Sequence, residues 1–170
     1  AYASEAFFPL QIHQSPFYVG LPLRLPAFSL QQTQQLAERH RVGWDDGLIS
    51  LHTLVNGHPY LIHLALYNLS VHQVDLERLL GEAPQHSGIY SDHLRSYLAI
   101  FEAEPELART FYQVIEQETA AELEPMAAYR LESMGLVTLI GNTATASCNL
   151  YRKYFGGRLG INPGRSDDTA

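Results

Sequence analysis

Leu54–Leu69 contains a helix end, a short break and the start of a second, strongly apolar helix. Asn56-Gly57 is typical of a helix end, because glycine accepts a positive φ without steric cost. Pro59 suits a first helical position, where its missing N–H needs no partner. Apolar side chains then occupy nearly every face, so we expect other elements to enclose the helix over Pro59–Leu69.

The first half of the chain around this stretch predicts a small bundle of four helices. Ser29 and Gln32 form the pattern of a capping box, which predicts a helix through about His40 that ends at Gly43. Asp45 or Asp46 is expected to cap the next helix. The third helix is Pro59–Leu69, and the fourth runs over about Asp75–Leu80 and ends at Gly81.

The second half predicts three helices, a β-hairpin and a last helix. Ser91 is expected to cap the first helix, through about Ala103, Pro105 opens the second, and the third covers about Glu124–Met134. Leu136–Ile140 and Thr143–Ala146 are predicted to be two strands, joined by a tight turn at Gly141-Asn142. A final helix starts near Asn149, which can cap it. The fold class is therefore mainly α: a helical bundle followed by a winged helix.

Composition excludes several classes of protein. The chain has 170 residues, 46% hydrophobic and 17% charged, which is globular rather than disordered composition. Its net charge of −7 disfavours a nucleic-acid backbone as partner. A single cysteine, Cys148, fits a reducing cytoplasm. No apolar run approaches the roughly 20 residues that span a bilayer, so we expect no membrane association.

Motifs for enzymatic chemistry are absent from the sequence. It has no G-x-x-x-x-G-K-[ST] pattern, and its only lysine, Lys153, lies in the last predicted helix. We therefore expect the chain not to hydrolyse ATP by the P-loop route, and we assign no catalytic residue. No cysteine pair that could hold zinc is present, and we expect no metal site.

Six stretches of the sequence occur in an order that is characteristic of a known family. Together they resemble the C-terminal half of the bacterial AAA-like domain family, which is similar to the STAND class of signal-transduction ATPases. The resemblance covers about Ser4–Leu159. The stretches are SPFYVGLPLRLPAF, LAERH followed by Trp44, LVNGHPYLIHLALYNL, GIYSDHLR, LESMGLV and CNLYRKYF.

The resemblance implies a division into four parts. Residues 1–28 would be the end of a nucleotide-binding domain and a linker, with Ser15–Gly20 as the hinge. Residues 29–84 would be a helical lid, 88–160 a winged helix and 161–170 a disordered tail. On this interpretation we expect the chain to be part of a longer protein. Its lid would close over ADP or ATP held by an upstream P-loop domain of the same chain, in a regulatory switch.

The resemblance also implies candidate cofactor-binding residues. Gly57, His58 and Pro59 look like the GxP motif of the STAND lid, whose proline packs against adenine. A proline ring is a flat apolar wall that donates no hydrogen bond, which suits this role; His58 alternatively faces solvent. Cys148 stands where related switches have a histidine near the ADP β-phosphate. It is a nucleotide contact or, alternatively, a small packed thiol.

Two other functions are compatible with the pattern. The lid and winged helix could act as a protein-interaction or homo-oligomerisation module without any nucleotide role. The winged helix could instead bind DNA, but its predicted recognition helix carries Glu124, Arg130 and Glu132, and Leu136–Ala146 contains no Lys or Arg. Acidic side chains repel phosphate, so we expect no nucleic-acid partner.

Overall fold

Eight helices and a small antiparallel sheet make up the part of the chain that the structure describes. The structure is a computed structural model and describes residues 26–72, 74–117 and 120–159. It confirms the mainly α fold, with a helical bundle followed by a winged-helix-like subdomain. The elements are α1 Leu30–Arg39, α2 Asp46–Val55, α3 Pro59–Val71, α4 Leu76–Glu82, α5 Ser91–Ala103, α6 Pro105–Glu116, β1 Ala121–Glu122, α7 Pro125–Ser133, β2 Val137–Ile140, β3 Thr143–Ala146 and α8 Asn149–Leu159.

Side-chain caps fix the start of the first two helices as predicted. Ser29 Oγ accepts from the backbone N–H of Gln32, and Gln32 Oε1 accepts from the backbone N–H of Ser29, which completes the capping box. Asp45 Oδ1 accepts from the backbone N–H of Leu48 at 3.0 Å and caps α2. These contacts satisfy N–H groups that have no partner within the helix.

The predicted cap of α5 is wrong. Ser91 is already helical, Tyr90 occupies the N-cap position, and no side chain caps this helix. The chain enters α5 through a turn in which the Ser91 N–H donates to the Gly88 carbonyl at 3.0 Å. The Ser91 N–H is thereby satisfied by backbone, and its hydroxyl instead accepts from the Arg95 guanidinium at 3.4 Å.

Two glycines predicted to end helices do not end them. After α1 the left-handed conformation is taken by Arg41, with φ 58°, and not by Gly43. Gly81 lies inside α4, which ends at Glu82 and is followed by Ala83 in a right-handed conformation. Where the residue after a helix keeps a right-handed conformation, glycine is not required at the helix end.

The sheet contains the predicted hairpin and one further strand. β2 and β3 are antiparallel, with Val137 opposite Ala146, and β1 pairs with the other edge of β3, giving the order β1-β3-β2. The two-residue β1 precedes α7 and is too short to produce a period-two pattern in the sequence.

Buried side chains from both halves of the chain form one core. Leu61 and Leu66 of α3 belong to the same cluster as Phe111 of α6 and Phe155 of α8, and all four are fully buried. The Tyr90 hydroxyl donates to the Leu61 carbonyl at 3.2 Å and joins the two halves directly. The bundle and the winged-helix-like subdomain therefore pack as one body in the described residues.

The prediction that α3 is enclosed on all sides is wrong for one face. Leu61, Ile62, Ala65 and Leu66 are buried, whereas Tyr60 and Tyr67 are exposed. The predicted hinge over Ser15–Gly20, the residues of the predicted nucleotide-binding domain before it and the tail 161–170 lie outside the described residues.

Substitution of Ser29 by Ala is expected to lower the free energy of unfolding by about 1 kcal/mol, because α1 loses its capping box. Ser91→Ala is the matched control, and it should change stability by less than about 0.5 kcal/mol because Ser91 caps nothing. Urea unfolding of the two variants measures both values. Equal losses in the two variants would contradict the assignment of the caps.

Candidate functional site

The break between α2 and α3 is built by two consecutive left-handed residues. Asn56 has φ 47° and Gly57 has φ 66°. The backbone N–H of Gly57 donates to the His52 carbonyl at 3.2 Å and ends α2, while its carbonyl accepts from the N–H of Phe28 at 2.8 Å. Gly57 is buried, and a Cβ built on it would lie 2.2 Å from the Phe28 carbonyl oxygen. Only glycine fits between the end of α2 and the backbone of Phe28 that passes beside it.

His58 and Pro59 form the start of α3. His58 Nδ1 accepts from the backbone N–H of Leu61 at 3.5 Å, so the imidazole caps the helix. The ring is half-buried, and this burial lowers the pKa of His58 below its ordinary value. His58 therefore caps the helix while part of the residue stays exposed to solvent. Pro59 is the first helical residue and is partly exposed.

A second histidine, which the sequence analysis did not single out, lies against the same place. His93 of α5 has its ring centroid 6.0 Å from that of His58 and 5.5 Å from that of Tyr60. Its Nε2 shares a hydrogen bond of 2.9 Å with the Tyr151 hydroxyl of α8. Burial, with a smaller effect of His58, lowers the pKa of His93 to about 4. His93 is therefore neutral at physiological pH and links α3 to α8.

No sequence signal identifies the pair of His93 and Tyr151, because the two are 58 residues apart and each looks like an ordinary helical residue. The spacing of His93 and Tyr97 on one face of α5 is the nearest indication. It places a polar ring beside an aromatic one, and their centroids lie 5.0 Å apart.

Cys148 lies immediately before α8 and is buried, with 4% of its surface exposed. Burial raises the pKa of its thiol to about 12, although the backbone N–H groups of Leu150 and Tyr151 donate to the sulfur and oppose this shift. Cys148, rather than the expected Asn149, thus holds the capping position of α8. A neutral, buried thiol fits the alternative of a small packed side chain better than direct contact with a phosphate.

The structure brings the α2–α3 break close to the start of α8. Asn56 Nδ2 donates to the Ser147 carbonyl at 2.9 Å, and Asn149 Nδ2 donates to the Thr53 carbonyl at 3.4 Å. Burial, with a smaller effect of the nearby Cys148 thiol, also raises the pKa of Tyr90. The four candidate residues Gly57, His58, Pro59 and Cys148 therefore lie in one region, where the two halves of the chain meet.

An open groove of about 490 Å³ runs between α2 and α8. The candidate residues do not line it. Its lining residues are Ile49, Ser50, Thr53, Leu54, Asn149, Arg152 and Lys153. The Arg152 guanidinium is already engaged, since it donates to the carbonyls of Ile115 and Gln117 at the end of α6. The groove therefore presents one free-standing ammonium, that of Lys153, and this does not make an anion site.

The surface of α7 and the hairpin is apolar rather than cationic. Met126 and Tyr129 of α7 and Ile140 at the end of β2 are exposed. Arg130 is the only cation between residues 121 and 146, and its guanidinium forms an ion pair with Glu104. This surface offers little to a phosphate backbone.

The described residues contain neither a metal-binding cluster nor a helix that could span a membrane. No group of three or more His, Cys, Asp or Glu side chains in the described ranges is arranged to hold a metal ion. In the same ranges, every helix is too short or too polar to cross a membrane.

Comparison with known proteins points to a protein family. A family model described as an AAA-like domain matches residues 1–157, which is most of the chain. Comparisons with curated proteins and with solved structures gave no match.

Proposed function

The chain belongs to the AAA-like domain family, and we propose that it forms the regulatory lid and winged-helix part of a STAND-type nucleotide switch. Residues 29–84 act as the lid and 88–160 as the winged helix. ADP or ATP is held mainly by a P-loop domain that precedes them in the same polypeptide. This part does not itself hydrolyse ATP, and the protein works in the cytoplasm.

The observation that carries the proposal is the geometry of Gly57-His58-Pro59. Gly57 is fixed by Phe28, His58 caps α3, and Pro59 opens the helix with its ring partly exposed. The positive end of the α3 dipole favours an anionic ligand, even though Pro59 has no N–H and the N–H of Leu61 is bonded to His58, and the proline ring offers an apolar face to adenine. Cys148 contributes through the packing of α8 rather than through the ligand.

A ligand at this helix start would be sensed in the winged helix. Asn56 is bonded to Ser147, and His93 is bonded to Tyr151, so a displacement of the α2–α3 break is transmitted to α8. We propose that the ADP form packs the lid and winged helix against the nucleotide domain and that ATP releases them. Such a switch works through different contacts in the two states.

The test is a thermal-shift titration with ADP, ATP and inorganic phosphate, on this chain and on the polypeptide extended through its P-loop. We expect ADP to stabilise only the extended form, and Pro59→Asp to remove most of that shift. Asp is favourable in the first turn of a helix, so the variant should still fold.

Pro105→Asp is the matched control, because Pro105 also opens a helix but lies in α6. It should leave the ADP shift unchanged. An extended form that ignores nucleotide would overturn the proposed switch, and an equal loss of the shift in both variants would remove Pro59 from the site.

A second candidate function is a protein-interaction or homo-oligomerisation module. The exposed side chains of Met126, Tyr129 and Ile140 favour it, because exposed apolar clusters mark contact surfaces. This function becomes the better account if nucleotide has no effect on the extended form. Concentration-dependent sedimentation of the wild type and of Tyr129→Asp would then test it.

A further inference from the structure

Helix α3 has a second apolar face opposite its buried one. Tyr60, Leu64, Tyr67 and Val71 recur at the spacing of one helical face and fall within about 60° of arc at 100° per residue. The exposed fractions of Tyr60, Tyr67 and Val71 are 50%, 43% and 56%, and Leu64 is half-buried. We call these four residues the α3 stripe.

The α3 stripe is not the solvent face of an ordinary amphipathic helix. None of the 13 residues of α3 is Asp, Glu, Lys or Arg, whereas a helix that faces water normally carries charges on that side. A continuous apolar face without charge indicates a surface that another segment covers.

The start of the described chain indicates which segment this is. The N–H of Phe28 donates to the Gly57 carbonyl, so the polypeptide that precedes residue 26 leaves from the N-terminal end of α3. The residues before it, Ser15–Leu25 (SPFYVGLPLRL), contain six large apolar side chains and only one charge, on Arg24. Their composition matches that of the stripe.

Reach is sufficient for this segment to cover the whole stripe. Eleven residues extend to about 36 Å at roughly 3.3 Å per residue. Tyr60 and Val71 are separated along α3 by only about 17 Å at 1.5 Å per residue.

The area of the stripe favours a segment of the same chain over a second copy. Two half-exposed tyrosines and a valine present roughly 300 Å² of apolar surface, whereas a stable dimer buries about 800 Å² on each partner. A segment that is already tethered beside the stripe loses far less translational freedom than a second molecule. The tethered segment can therefore stay bound through a contact of this small area.

We propose that the α3 stripe is the docking surface for residues Ser15–Leu25 of the same chain. Docking would place the hinge that precedes the lid directly along α3. The polypeptide upstream would then have a defined direction relative to the lid. The inference needs no nucleotide and stands or fails independently of the proposed switch.

The test is tryptic cleavage of the full chain after Arg24, followed by mass spectrometry of the product that begins at Leu25. If the segment is docked, Tyr67→Asp should raise the initial rate of this cleavage at least tenfold. Val71→Asp, at the last turn of α3, should act in the same direction with less effect on folding. Phe17→Asp, on the segment itself, should reproduce the acceleration.

Tyr129→Asp is the matched control, because Tyr129 is an exposed tyrosine on a different helix, α7, and it should leave the cleavage rate unchanged. Circular dichroism checks that each variant is folded. An unchanged rate in both folded stripe variants would overturn the proposal. A wild-type dimer in sedimentation that Val71→Asp dissociates would assign the stripe to a second copy instead.

Discussion

Replacement of Gly57 by Ala is expected to lower the free energy of unfolding by about 3 kcal/mol, which corresponds to roughly 6–12 °C in Tm. Two costs add. An L-residue at φ 66° is strained by about 1 kcal/mol, and the new Cβ would lie 2.2 Å from the Phe28 carbonyl oxygen and 3.0 Å from His52 Cε1. The backbone of Phe28 must move away, which breaks its hydrogen bond to Gly57.

Gly141→Ala separates these two costs. Gly141 has a nearly equal φ of 61°, but no atom lies within 4 Å of a Cβ built on it. The free energy of unfolding of this control should fall by only about 1 kcal/mol, from backbone strain alone. Thermal unfolding of both variants measures the difference. If the two glycines cost the same, the close approach of Phe28 to Gly57 is not present in solution.

Lowering the pH from 6.5 to 4 is expected to destabilise the protein by about 2 kcal/mol through His93. Its pKa falls from 6.5 to about 4 on folding, because burial disfavours the charged ring. Below pH 6.5 the His93 ring binds a proton in the unfolded chain, whereas in the folded chain it stays neutral until the pH approaches 4. The stabilising contribution is therefore complete above pH 6.5 and is lost as the pH falls to 4. The full pKa difference would correspond to a loss of about 3 kcal/mol in the free energy of unfolding. We expect a smaller loss because the ring is partly exposed to solvent.

His93→Gln should flatten this pH dependence. The Gln amide cannot titrate, yet it can still bond to the Tyr151 hydroxyl that His93 contacts. Urea unfolding at pH 7, 5.5 and 4 measures the free energy of unfolding. Between pH 7 and 4 the variant should lose about 2 kcal/mol less of it than the wild type. Parallel curves for His93→Gln would remove His93 as the source of acid sensitivity.

The elements that could be predicted from sequence are those with local signals. The box of Ser29 and Gln32, the aspartate before α2 and the prolines that open α3 and α6 all act within one helical turn. Each stabilises its helix whatever the rest of the chain does, so each is readable from a few neighbouring residues.

What could not be predicted depends on contacts between distant residues. Ser91 has the composition of a cap, but a turn to Gly88 satisfies its N–H instead. The bond between His93 and Tyr151 and the exposed face of α3 depend on which helices lie beside them. The candidate residues Gly57, His58, Pro59 and Cys148 were predicted singly, and only tertiary packing places them in one region.

The core that the two halves share has a consequence for how such chains can be inherited. A cut in the connection between α4 and α5 would separate Tyr90 from the Leu61 carbonyl and leave apolar surface on both pieces. Neither piece could then be exchanged by recombination without a matching partner. We therefore expect the bundle and the winged-helix-like subdomain to be transmitted as a single genetic unit, whatever domains are joined to it.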